Sequence, residues 1–501
     1  MTMPRSRWLL CLTPSATRAP VEASWLTSRS RPLLLGVTGV MAAFVMGAVA
    51  VVHLRLAMAL LLGAAAVAAT LVSPRMGGLL LVALVPITSG LAPGTPVPNV
   101  RVSEALIGAI GVTVLVSARR RDAVPWTVLD WLLLGYGLAW AGTGILDARA
   151  LGEHLSLSEW GTIAGQLQFF LLYRGVRVAL RSPAERRLGV FVLLGASVPV
   201  GVLAILQNLH FPAVGRFINT ITGGVYGLQP GVAVTRATGP FDNWAALAGY
   251  LFPLLLVLLA LAIAGELRHH QRRLWAVAGI AVVALLLTRE LSAIFCLVVG
   301  AGFLVTRYRG ARRVRRWLAP ALLVGVLVAV PFLGGRLDQQ FAPTPGTGRH
   351  AWVPQTLGFR AEVWSSQYLP AIAARPLSGY GVIIPPRISW QYPESEYIEL
   401  LTHGGIPLLV VFALLGWAMV ARARAVARAP DPFDAALGWA LLVSVAGLLA
   451  MNVIWPYLSN GGLPQVLWCL FALAGPLPAR SPHAGVLAVP TPARGIEALA
   501  P

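Results

Sequence analysis

The chain is 501 residues long, 57% hydrophobic and only 12% charged, with a mean hydropathy of +0.74. Soluble domains carry roughly 25% charged residues, so this composition excludes a water-soluble globular protein and assigns the chain to a lipid bilayer. The net charge of +20 is carried by arginine alone, because the sequence has no lysine, and with no compact RNA- or DNA-binding module in sight, nucleic acid is not an expected partner.

Taken in order, residues 1–31 mix Arg, Ser, Thr and Pro around a short apolar patch, Trp8–Leu12, too short for a signal-peptide core. They read as a disordered cytoplasmic tail. A spanning helix needs about 20 mostly apolar residues. Such stretches follow at 33–52, 55–73, 76–92, 102–118, 125–146, 160–180, 188–207, 241–264, 273–289, 291–306, 317–334, 401–421, 434–455 and 463–477. The expected architecture is an all-α integral membrane protein of roughly 12–14 transmembrane helices. A helical bundle covers 32–334, with an outer loop at 207–240. One long periplasmic loop covers 335–400, the C-terminal transmembrane helices cover 401–477, and a Pro/Ala-rich disordered cytoplasmic tail covers 478–501.

Charge orders these segments. With the N-terminus inside, the inner connections hold Arg119–Arg121, Arg174–Arg187, Arg268–Arg273, Arg307–Arg316 and Arg422–Arg428. The outer ones hold Arg55, Arg101, Arg149, Arg216, Arg236 and Arg289, each isolated. Every dense basic cluster falls on one side, as the positive-inside rule demands of a multi-pass membrane protein. Cys11, Cys296 and Cys469 form no CxxC or Cys/His cluster, and His154, His210 and His350 are scattered. Neither a disulfide framework, a metal centre nor a cofactor is expected.

The long polar loop is where chemistry is expected, since loops of this length between spans are uncommon without a function. Arg360 precedes Trp364 by four residues, as in a short helix, and Arg236 and Arg289 also lie on the outer side. Guanidinium groups pair bidentately with phosphate oxygens, so Arg236, Arg360 and Arg289 converging there suit a pyrophosphate. The alternative is ordinary ion pairing, with Glu290 beside Arg289 as its obvious partner. Glu394, Glu396 and Glu399 crowd six residues of an acid-poor chain. On a helix starting near Ser395, Glu396, Glu399 and His403 share one face, and Glu394 or Glu396 is a candidate general base. The competing reading is a helix N-terminus with Ser395 as its cap. Gly379-Tyr380-Gly381 permits close backbone approach, and by spacing alone reads as a tight turn.

Four stretches resemble the O-antigen ligase and polymerase superfamily of bacterial inner-membrane proteins. They are Arg236-Ala-Thr-Gly-Pro-Phe-Asp-Asn243, the apolar run closing in Thr288-Arg289, Arg360-x-x-x-Trp364 with Arg375-Pro-Leu-Ser-Gly379-Tyr-Gly381, and Glu394-Ser-Glu-Tyr397 running to Gly405. Together they cover roughly residues 200–425, and the third is the most specific. The resemblance implies metal-independent glycosyl transfer from an undecaprenyl-pyrophosphate-linked oligosaccharide at the periplasmic face. Arg236, Arg360 and Arg289 would hold the pyrophosphate, and Glu394 or Glu396 would take the acceptor's proton. Asn243 falls in the first stretch, and Trp364, Trp390, Tyr392 and Tyr397 are candidate sugar contacts. Partners implied are membrane lipids and a chain-length regulator and flippase of the same pathway. Glu394 stands where the ligases carry a catalytic His, which favours a polysaccharide polymerase over a ligase acting on lipid A core or protein. A lipid-linked glycan flippase or secondary transporter is the rival of a different class. Transporters put polar groups at mid-membrane in repeated halves, and neither feature is visible here.

Overall fold

A computed structural model describes residues 54–92, 100–118, 124–223, 236–267, 271–307, 334, 338, 340–341, 354–459 and 461–475. The tails 1–31 and 478–501, the 33–52 span, the Arg119–Arg121 cluster and nearly all of the 317–334 span lie outside the described residues. The chain divides into Met1–Leu61 and Leu62–Pro501. Of the first unit only the opening turns of the Leu54–Val72 helix are described, and everything below concerns the second.

Every regular element among the described residues is helical. Five helices are long and apolar enough to cross a membrane: Val128–Leu151, Pro183–Asn208, Trp244–Ala264, Glu396–Val426 and Pro432–Met451. Shorter apolar helices accompany them, including Pro74–Thr88, Leu291–Arg307 and Leu463–Leu473. The expected 160–180 span is two pieces, Leu157–Gly165 and Leu167–Ala179. Trp244–Ala264 is the most enclosed of the five, with 83% of its apolar window buried. Its neighbours are Gln271–Thr288, Leu291–Arg307, Pro432–Met451 and Leu463–Leu473, so its apolar residues run all round rather than along one stripe.

Local chemistry sets the ends. Thr127, Ser156 and Ser182 each cap the helix that follows, accepting from the backbone N–H three residues on, with Asp130, Glu159 and Glu185 completing reciprocal boxes. Arginines gather at one end of the bundle. Arg174 and Arg177 meet Asp130 at 3.2 and 2.5 Å, Arg186 meets Asp434 at 3.5 Å, and Arg187 meets Asp431 at 2.8 Å. Arg422, 6% exposed, donates to the carbonyls of Ala474 and Gly475 at the same end. Among the described residues, the Arg174–Arg187 cluster and Arg422 thus share one end of the bundle.

At the opposite end, the helix expected at 401–421 begins earlier, at Glu396, and is broken. Gly404 and Gly405 leave helical geometry, with Gly405 at φ 65°. Pro407 has no N–H to offer His403 O, and Ile406 N donates to Pro376 O at 2.8 Å instead of to Thr402 O. The long loop supplies the missing donors: Tyr380 N bonds Thr402 O and Gly381 N bonds His403 O, both at 2.8 Å. This exchange requires backbones in contact. A Cβ at Gly379 would lie 2.5 Å from His403 O, and one at Gly405 would lie 2.5 Å from Pro376 O. His403 completes the joint by stacking on Trp140 at 3.8 Å and donating from Nε2 to Trp140 O at 3.1 Å. The Gly379-Tyr380-Gly381 turn is thus the docking point of the loop on the bundle. Gly405→Ala, at a left-handed position costing about 1–2 kcal/mol before any clash, should lower the thermal unfolding midpoint in detergent and expose the loop to protease. Gly135→Ala, in a helix with nothing within 4 Å of its Cβ, should leave both unchanged.

Candidate functional site

Three non-glycine residues adopt positive φ among the described residues: His210 at 60°, Arg289 at 52° and Glu394 at 55°. Such a conformation costs an L-residue about 1–2 kcal/mol, and retained strain of this kind concentrates at functional sites. Two of the three are residues that the sequence nominates for chemistry.

Arg289 closes the Gln271–Thr288 helix in the left-handed position usually filled by glycine or asparagine. The turn it forms is held from outside by Arg236. The Arg236 Nε donates to Thr288 O at 2.8 Å, its NH2 group donates to Arg289 O at 3.2 Å and to Glu290 Oε2 at 2.6 Å, and its guanidinium lies 4.0 Å from the Trp244 ring centroid. Glu290 therefore pairs with Arg236, and the expected Arg289–Glu290 pair is not made. Two backbone carbonyls converge on the turn where Arg236 can satisfy them and Glu290 together. Among the described residues the Arg289 guanidinium has no ion pair, and Arg289 is half-buried.

Arg236 itself is placed by the segment behind it. Gln207, 2% exposed at the end of Pro183–Asn208, accepts from Thr238 N and Gly239 N, each at 2.9 Å, and Ala237 N donates to Leu287 O at 2.9 Å. Asn243 caps the Trp244–Ala264 helix, accepting from Ala246 N at 2.7 Å and donating from Nδ2 to Asp242 Oδ1 at 2.9 Å. Its amide organises the segment. Burial pushes the Asp242 carboxyl up, and Arg101 pulls it back.

The second half of the site comes from the long loop. The helix predicted around Arg360 and Trp364 runs from Gln355 to Ala374 with one wide turn, Trp364–Tyr368. Arg360 Nε and NH2 both donate to Glu394 Oε2, at 3.2 and 3.0 Å. Trp364 Nε1 donates to Pro393 O at 2.7 Å, fixing the peptide just before Glu394, so its indole edge braces the acid. Glu394 is 8% exposed. Burial raises its carboxyl above the ordinary range, Arg360 lowers it in opposition, and the nearby Glu290 charge raises it further. The Glu290 charge, itself paired with Arg236, thus acts on the Arg360–Glu394 pair.

The remaining nominated residues are structural in their contacts. Glu396 is fully buried, and its carboxylate accepts from Leu458 N at 2.9 Å and Ser459 Oγ at 3.2 Å. Ser395 occupies the cap position without making the cap bond and donates to Asn452 O at 3.2 Å. Glu396 N donates to the same oxygen at 2.9 Å, and Tyr397 OH donates to Leu449 O at 2.7 Å. Three successive residues thus fasten Glu394 to the end of the Pro432–Met451 helix.

The segment from Asn452 to Ser459 is the part that sequence reasoning missed. It receives Ser395 and Glu396, and its Tyr457 OH lies 3.0 Å from Ser292 Oγ, which donates to Glu290 Oε1 at 2.8 Å. Both halves of the site rest on it. Its Asn452, Pro456 and Ser459, which break the apolar pattern within Asn452-Val-Ile-Trp-Pro-Tyr-Leu-Ser459, were the available signal.

All of these residues lie at the end of the bundle away from the arginine cluster, because Glu396 and Arg422, Asn452 and Asp434, and Gln207 and Arg186 sit at opposite ends of shared helices. Arg236→Ala leaves Glu290 and two carbonyls without their cation, and should cost on the order of 3 kcal/mol in unfolding experiments. Arg289→Ala should leave stability within about 0.5 kcal/mol of the parent.

Residues 275–413 match the family model described as O-antigen ligase. No curated protein matches the chain. The matched window contains Arg289, Glu290, Arg360, Glu394 and the broken helix at Gly404–Gly405, while Arg236 and the Asn452–Ser459 segment lie on either side of it. Over these residues the chain is similar to the O-antigen ligase family, which supports a place in the O-antigen ligase and polymerase superfamily.

Proposed function

We propose that the protein is a glycosyltransferase that polymerises undecaprenyl-pyrophosphate-linked oligosaccharide repeats at the outer, periplasmic face of a bacterial inner membrane. The observation carrying this reading is Glu394: a strained, nearly buried carboxylate, held by Arg360 on a loop docked to the bundle, within electrostatic reach of Glu290. The O-antigen ligase match over the same residues supports the transfer chemistry, and the basic clusters at the far end support the orientation.

In the reaction, the acceptor sugar's hydroxyl oxygen attacks the donor's anomeric carbon. The bond from that carbon to the pyrophosphate oxygen breaks, and its electron pair leaves with the polyprenyl pyrophosphate. The hydroxyl proton passes to Glu394 as general base. Arg289, whose guanidinium has no ion pair among the described residues, is the first contact for the departing anion. Arg360 has two roles: it keeps Glu394 ionised, and it can share its remaining donors with phosphate. Arg236 holds the turn that presents Arg289. Glu396, whose carboxylate already accepts from Leu458 and Ser459, anchors Glu394 rather than acting on substrate. Glutamate at the position of the ligases' catalytic histidine favours polymerase over ligase.

A deletion strain complemented with variants tests this. Single-repeat product should accumulate without the gene; long lipid-linked polymer lacking attachment would indicate a ligase instead. Glu394→Gln should abolish polymer with membrane insertion intact. The pH dependence has a defined sign. Only the carboxylate form of Glu394 accepts a proton, so the rate rises as pH passes its elevated value. Arg360→Gln removes the influence that lowers it, and the acid limb of the residual rate should move to higher pH; movement to lower pH would contradict the assignment.

A further inference from the structure

The face of the long loop beside Glu394 carries large aromatic rings that the transfer chemistry does not use. Phe359, Trp390 and Tyr392 are 39%, 40% and 50% exposed. Phe359 meets Trp390 edge-on, with ring centroids 5.1 Å apart and planes at 84°; Trp390 and Tyr392 stand 6.2 Å apart at 65°. The rings form an open corner rather than a stack that closes on itself.

The backbone beneath Trp390 is fixed from both sides. Gln367 Oε1 accepts from Trp390 N at 3.0 Å, and from Ser389 N and Oγ at 3.0 and 3.3 Å. The buried Tyr368 hydroxyl donates to Trp390 O at 2.8 Å. Tyr368 belongs to a small core of its own with Val363, Ala371 and Ile388. An exposed indole held this firmly has already lost the conformational freedom that binding would otherwise remove. Trp364 Nε1 holds Pro393 O just before Glu394, four residues on, so one short segment fixed by the Gln355–Ala374 helix carries both the platform and the acid.

We infer that Trp390, Phe359 and Tyr392 form the acceptor subsite, binding the terminal pyranose of the acceptor glycan through the apolar C–H face of its ring. This inference rests on Glu394 being the base. A pyranose lying on the indole has its C–H face on the ring and its hydroxyls at the edge, where Glu394 receives a proton. The flanking Ser389 and Gln391 suit the hydroxyls of a neighbouring sugar. A membrane-anchoring aromatic belt explains exposure but not the doubly pinned backbone four residues from the acid.

The test uses the full-length protein in nanodiscs. The donor is the host's own lipid-linked repeat at saturation, and the acceptor is the lipid-free repeat oligosaccharide released from that pool. Trp390→Ala should raise the acceptor KM roughly tenfold, a change of the size expected for one lost aromatic contact. Trp390→Phe should raise it less, Tyr392→Ala should fall between them, and the donor KM should be unchanged in all three. An unchanged acceptor KM in both Ala variants overturns the subsite. If recovery from membranes falls at the same time, the rings anchor lipid instead. Should the parent protein elongate nothing, the proposed polymerase activity fails by itself. Saturation-transfer NMR of the same oligosaccharide then still decides the subsite, which stands if Trp390→Ala abolishes transfer from the parent and falls if both proteins give equal signal.

Discussion

The break in the Glu396–Val426 helix is the constraint on which the candidate site depends. A continuous helix would satisfy Thr402 and His403 internally and leave the long loop with nothing to grip. Because Gly404, Gly405 and Pro407 interrupt it, two carbonyls are open and the loop closes them with Tyr380 N and Gly381 N. Unsatisfied backbone groups at membrane depth are costly, so the break and the docking stabilise each other. From this joint the loop runs back through Pro393 to Glu394, and the Gln355–Ala374 helix returns Arg360 to the same carboxylate.

Electrostatics then separates the arginines by task. Near a low-dielectric interior a guanidinium needs partners, and two of the three candidates have them within the protein: Arg236 in Glu290 and two carbonyls, Arg360 in Glu394. Pairing fixes geometry and tempers the acid, but it removes those donors from a substrate until something competes. Arg289 is held in a strained backbone by the carbonyl contact from Arg236 and keeps its own charge available. Positioning and binding are thus divided among residues that look equivalent in the sequence.

Much of the fold was legible because lipid imposes a simple rule: among the described residues the apolar stretches became helices, and the Arg174–Arg187 and Arg422 charges came to one end of the bundle. The breaks were less legible. Gly404-Gly405-Ile406-Pro407 reads as a weak point in a span, but its hydrogen-bond partners lie in Pro376–Gly381, and no local periodicity links the two. The same distance hid the acid–base pairs. Glu290 was read with its neighbour Arg289, whereas the turn directs it to Arg236, 54 positions away in the chain. Tyr397, Trp364 and Asn243 carried the right residue types for sugar contact, yet each makes a strong bond to nearby backbone. The Asn452–Ser459 segment was overlooked because a short, mostly apolar link between helices resembles any other loop until Glu396 and Ser292 converge on it.

The account depends on Arg289 and Glu394 facing one substrate at the end of the bundle opposite the basic clusters. The most direct measurement is a cryo-EM map of the protein in nanodiscs saturated with its lipid-linked oligosaccharide donor. The account predicts pyrophosphate density within hydrogen-bonding distance of the Arg289 guanidinium, with the anomeric carbon turned toward Glu394. Density bound instead among Arg174, Arg177 and Arg422, or with Glu394 shielded from the sugar, would contradict it.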